Sequence, residues 1–114
     1  MYAQTTTIRV PMGLMGRMRE IVKNDYLPKI RIRPGFVSAI FMEQLDDPDR
    51  AQLVVLWESH AAVERFNSTG VLEATIHGLS AHLPGVQVQR QGYTLSVVMG
   101  VDPATLDELV HVRA

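Results

Sequence analysis

The chain has 114 residues and no cysteine. That excludes a disulfide framework, a thiolate nucleophile and any Cys-ligated zinc or iron–sulfur centre, and it fits a reducing compartment, so a cytoplasmic location is expected. No stretch reaches 18 apolar residues, and the start MYAQTTTIRV lacks a basic segment leading into an apolar run; neither a membrane span nor a signal peptide is expected. An excess of positive charge is also missing, the formal net charge being -1, which argues against nucleic acid as a partner. Aromatic residues are sparse at 6%, with a single tryptophan. No HExxH, GxSxG, P-loop or GxGxxG pattern occurs, so no metal site and no cofactor is expected.

What is present is an ordinary globular composition, 46% apolar and 20% charged, at a length that suits one domain. The segment AQTTTIRV is rich in β-branched residues and reads as a first strand ending near Pro11. Around Leu14, Met15, Met18, Ile21, Val22 and Tyr26 the apolar positions recur at three and four, predicting an amphipathic helix that stops at Pro28 and the RPG of 33–35. Met12, Met15 and Met18 read as adaptable core filler rather than a soft metal site. The basic strip KIRIRPG reads as a solvated helix end. Asp25 falls beside Tyr26 within the apolar face, an odd place for a carboxylate.

Two strands follow, GFVSAIFMEQL and AQLVVLWE, joined by a turn at DDPDR where aspartates bond their own backbone and Pro48 presets φ. Simple alternation places Phe36, Ser38, Ile40 and Met42 on one side, and Val37, Ala39 and Phe41 on the other. The next strand opposes Leu53, Val55 and Trp57 to Val54 and Leu56. Both strands are therefore apolar on both faces, and a chain this short has too little helix to cover two sheet faces. A second copy related by a two-fold axis would supply the cover, so a homodimer is expected.

At Ser59, a capping residue, the period turns helical. Ala62, Val63 and Phe66 form one apolar stripe, the helix breaks near Gly70, and Leu72, Ile76, Leu79 and Leu83 form a second stripe up to Pro84-Gly85. VQVQRQGYTLSVVMGV reads as a last strand, with a bulge or bend at Gly92; its second half, Leu95, Val97, Met99 and Val101, is long enough to pair with a partner's sheet. Residues 1–101 then form the domain, and 102–114, beginning DPATLDELV, a short helix and tail capped by Asp102. The order β-α-β-β-α-β is the α+β ferredoxin-like split arrangement, with a four-stranded antiparallel sheet; two sheets face to face make a dimeric α/β barrel.

With RPGF at 33–36, DDPDRAQLVVLWES at 46–59, and Phe66 followed by a second helical run, the chain resembles the antibiotic-biosynthesis-monooxygenase-like family over roughly residues 4–93. The resemblance implies cofactor-independent oxygenation of electron-rich phenols in some members and haem breakdown in others. Haem-degrading members carry an asparagine in the first strand, a tryptophan where this chain has Phe66, and a histidine where it has Ile76; His77 is one place late and, about 100° round the helix, faces away from the stripe. Haem is thus not the expected ligand.

An oxygenase of the other kind needs a dry cleft between sheet and helices, aromatic walls and a few polar groups. Tyr26, Phe36, Trp57 and Phe66 are candidate walls for a small aromatic ligand, with His82 the most inward-leaning histidine; His60, His77 and His111 read as exposed. Trp57 reads first as a core residue at a strand–helix junction and second as a pocket wall. The sequence therefore supports a cofactor-independent monooxygenase acting on a phenolic compound, or a non-catalytic small-molecule-binding or dimerisation domain.

Overall fold

The computed structural model describes residues 1–100; the segment 101–114, with the anticipated terminal helix, lies outside the described residues. Strands β1 (Tyr2–Arg9), β2 (Phe36–Glu43), β3 (Arg50–Trp57) and β4 (Gln87–Thr94) form one antiparallel sheet in the order β2-β3-β1-β4. Between them run α1 (Met15–Ile21), a π-helical turn (Val22–Tyr26) and α2 (Leu27–Ile30), and then α3 (His60–Asn67) and α4 (Val71–His82). This is the expected split β-α-β-β-α-β arrangement, each half supplying one central and one edge strand.

All helices pack on one sheet face. Leu53, Val55 and Trp57 point there and are buried, joined by Ile8, Met18, Tyr26, Phe66, Leu72 and Leu79 in one continuous core. The opposite face of β2 and β3 presents Ile40, Val54 and Leu56, all only half-buried. The doubly apolar strands thus have one face covered by helices and one face open in the single chain.

Three local features depart from the sequence expectations. First, the helical run does not stop at Pro28 but continues to Ile30. The π-turn makes this possible: Leu27 N–H donates to the carbonyl of Val22, five residues back, and Pro28 then sits in the first turn of α2, where no N–H is required. The extra residue in the turn also keeps a stripe spaced three, four, four and four, Met15, Met18, Val22, Tyr26 and Ile30, on the core side; at 100° per residue an unbroken α-helix would rotate it progressively away. Asp25 consequently lies on the exposed side, paired with Lys29 at 3.2 Å.

Second, β2 carries an irregularity between Phe36 and Ser38, where Phe36 pairs with Trp57 and Ser38 already pairs with Leu56. One extra residue reverses the alternation. Phe36 therefore shares the helix-covered face with Trp57, Ala39 and Phe41, while Ile40 and Met42 lie on the open face; the placement of Phe36 with Ile40 and Met42 is corrected by this bulge, at which Ser38 is fully buried. Third, Gly92 sits in an unbroken ladder with β1, from Tyr2 opposite Thr94 to Arg9 opposite Gln87. There is no bulge at this glycine, and β4 ends at Thr94, with Val97, Val98 and Met99 exposed beyond it.

The turn and cap signals match the sequence reading. Asp47 Oδ1 accepts from Asp49 N–H at 3.1 Å in the β2–β3 turn, and Ser59 Oγ accepts from Ala62 N–H at 3.2 Å at the start of α3. Gly70 adopts φ +75° between α3 and α4, and Gly85 φ +92° after α4. Gly35 has φ +85°, and a Cβ there would collide with Ala62 Cβ, so only glycine lets the start of β2 press against α3.

Candidate functional site

Two spaces adjoin α1 and α4. The inner one is an almost wholly apolar cavity between the sheet and the helices, walled by Met18, Ile21, Val22, Ile76 and Leu79 from the helices and Ile8, Leu53 and Val88 from the sheet. Its free volume is ≈ 30 Å³, about the share of one water molecule in the liquid. The outer one is a cleft of ≈ 480 Å³ between α1 with its π-turn and α4, within the size range of small-molecule sites. Ile21, Thr75 and Leu79 border both spaces, so a single layer of side chains separates them.

Of the five residues expected to meet a ligand, Tyr26 borders the inner cavity. It is 5% exposed, and burial pushes its phenol above the ordinary value; nearby Arg90 pulls the other way and Glu73 adds to the rise. Arg90 and Glu73 are 3.8 Å apart. A phenol so placed stays protonated at neutral pH and acts as a hydrogen-bond donor, not a base.

Trp57, Phe66 and Phe36 are brought together, but apart from that cavity. Trp57 is fully buried, stacked on Phe66 with ring centroids 5.1 Å apart and met edge-on by Phe36 at 6.0 Å. None of the three borders either space. The indole N–H of Trp57 is buried with no hydrogen-bond partner among the described residues, a costly arrangement in a core. His82 is exposed and borders the outer cleft. His60 is exposed as expected, 3.5 Å from Glu64 and with its ring 5.1 Å from that of Tyr2.

Sequence reasoning missed the aliphatic walls of the inner cavity and the polar rim of the outer cleft, Arg17, Glu20, Asn24 and Lys29. Arg17 and His82 are 65 positions apart, and no periodicity links them. Among the described residues no cluster of three or more metal-binding side chains occurs, and no helix is long and apolar enough to cross a membrane.

No protein-family model and no curated protein matches the chain. Solved structures do. A protein provisionally described as an antibiotic biosynthesis monooxygenase, from Deinococcus radiodurans, superposes with a TM-score of 0.75 at 16% identity, over 90% of this chain and 99% of that one. SnoaB, a cofactor-independent oxygenase from Streptomyces nogalater, solved as a variant, gives 0.71 at 14% identity, over 86% and 95%. A variant of MhuD with two manganese protoporphyrin IX molecules bound per active site gives 0.69 at 17% identity, over 89% and 100%. The strong structural neighbours of this chain are thus antibiotic-biosynthesis-monooxygenase proteins, and the fold it shares with them is the α+β ferredoxin-like fold.

Proposed function

We propose that the protein is a small cofactor-independent monooxygenase acting on an aromatic or polycyclic phenol, working as a homodimer. The observation that carries this reading is Tyr26, a buried phenol at the edge of an apolar cavity between sheet and helices, within a fold shared with a cofactor-independent oxygenase. Its hydroxyl would donate to the oxygen of the bound phenolic compound and stabilise its anion. The electron-rich ring then reacts with O2: one oxygen atom stays on the ring as a carbonyl, and the other leaves as water with the ring hydrogen of the oxidised carbon and the phenolic proton. Phe36, Trp57 and Phe66 form rigid backing for this layer, and His82 belongs to the outer cleft. With ≈ 30 Å³ of free volume, the lining side chains must shift before a ring enters.

Oxygen uptake with anthrone and naphthols is the test. Uptake is expected, reduced about a hundredfold in Tyr26→Phe, the order of effect of losing one donor to a developing anion. No uptake with any of these phenols would overturn the oxygenase.

A second reading, a non-catalytic ligand-binding or dimerisation domain, is favoured by the small inner volume and by the open apolar face of Ile40, Val54 and Leu56. Both readings share the homodimer, with a second sheet covering that face. Sedimentation at micromolar concentration is expected to give a dimer, and Val54→Lys a monomer. A monomeric wild type would refute the covered-face argument.

A further inference from the structure

We infer that the cleft between α1 and α4 receives a small aromatic anion, with its ring on the Ile21–Leu79 wall and its acidic group between Arg17 and His82. This rests on the proposed small-aromatic-ligand reading and adds the ligand's charge and its point of entry.

The cleft has the size for a ligand that the inner cavity lacks, ≈ 480 Å³ against ≈ 30 Å³. Its wall is apolar, since Ile21 and Leu79 face it, and those side chains with Thr75 are also the partition to the inner cavity. A ring resting there is separated by that one layer of side chains from the cavity that Tyr26 borders. The rim is charged, but its charges are not equally free. Asp25 is engaged by Lys29 at 3.2 Å, and Glu20 accepts from the Asn24 amide at 2.8 Å. Among the described residues, Arg17 and His82 have no hydrogen-bond or ion-pair partner through their side chains, which leaves a guanidinium and an imidazole as the unengaged donors of the rim. A guanidinium is permanently charged and shaped to hold a carboxylate or phenolate.

Gly78 supports the assignment independently. It lies inside α4, where glycine is less stable than alanine, and the usual compensation, a close neighbour or a positive φ, is absent: a Cβ built on it meets nothing within 4 Å. The space it leaves open is the cleft itself, which it borders with Ala74.

The test uses 2-naphthoate and its neutral isostere 2-naphthamide, titrated by calorimetry into the full-length protein, with backbone amide shifts reporting location. Naphthoate is expected to bind saturably and shift the amides of Ala74, Gly78 and His82, with naphthamide about tenfold weaker or more, the order expected for loss of a charge-assisted bond. Arg17→Gln and His82→Gln each weaken naphthoate and leave naphthamide unchanged. Gly78→Leu fills the cleft and abolishes binding; because its side chain enters open space, its melting temperature, measured alongside, stays at or above wild type. Equal affinity for the two probes, shifts confined to other regions, or no binding at millimolar concentration would each overturn the site. If naphthoate binds as described but no phenol is oxidised, the oxygenase reading fails and the cleft stands. If phenols are oxidised at the same kcat/KM in wild type and Gly78→Leu, the oxygenase stands and the cleft as its entry fails.

Discussion

The Tyr2 ring lies across Gly92, one strand over, so closely that a Cβ on residue 92 would collide with its hydroxyl. Both residues face the helix side of the sheet, on β1 and β4, and the glycine keeps regular ladder geometry without a positive φ. Its lack of a side chain matters here, not its backbone freedom. Gly92→Ala is expected to push the Tyr2 ring aside at a cost of about 1 kcal/mol, the low end for overpacking, because residue 92 is exposed and the colliding atoms are the far end of a side chain. Adding Tyr2→Ala removes the colliding group, so the double variant should be less destabilised than the sum of the singles. Additive denaturation energies would show that the contact is not what requires glycine.

Trp57 is sealed between Phe66 and Phe36. Replacing it with alanine should cost about 3–5 kcal/mol, as truncation of a large buried aromatic does, a large part of the 5–15 kcal/mol typical of a whole domain. Chemical denaturation measures this loss. Its fluorescence in the folded protein should resist iodide quenching, and ready quenching would contradict its burial.

Arg19 holds Glu43 through two hydrogen bonds of 2.6 and 2.7 Å, and these lower the Glu43 pKa below its ordinary value. A lowered carboxyl pKa contributes stability that is present above the unfolded value, about 4.3, and lost as pH falls through the folded one. Because the pair is solvent-exposed, the effect should be small and weakened by salt. In Arg19→Gln the Glu43 carboxyl should titrate at higher pH by carbon NMR, and the acid limb of the stability profile should flatten. An unchanged Glu43 titration would show that the pairing is absent in solution.

Tyr26 offers the opposite sign at the other end of the pH scale. Burial raises its phenol pKa above that of the unfolded chain, so its contribution is full below about pH 10 and is lost as pH rises beyond it. Tyr26→Phe should therefore lose stability less steeply in alkali than wild type. The absorbance difference between the two proteins should place the Tyr26 ionisation above the ordinary phenol range. A Tyr26 that ionises at its ordinary value without unfolding would mean that its hydroxyl is open to water.

The changes of hydrophobic period, from two along the strands to three and four along the helices, were enough to order the elements, because those periods are local properties of the backbone. Ser59 capping α3, the aspartates of the β2–β3 turn and Gly70 between α3 and α4 act within a few residues of themselves, and they were legible for that reason. The bulge at Phe36–Ser38 was not, since alternation gives no sign of an inserted residue until β2 is set against β3. The π-turn shows the same limit: an apolar stripe at three and four fits an ordinary helix, and only packing against the sheet requires the wider turn that keeps Tyr26 and Ile30 inward. The candidate site lay furthest from view. Ile21 and Leu79 share a wall, and Arg17 and His82 a rim, only because α1 and α4 pack on the same face of one sheet. The sequence by itself determined the order of the elements and the apolar stripe of each, because those are short-range matters of period and capping. Tertiary structure alone decided that Trp57 is sealed and where free space remains, because both depend on distances between segments remote along the chain.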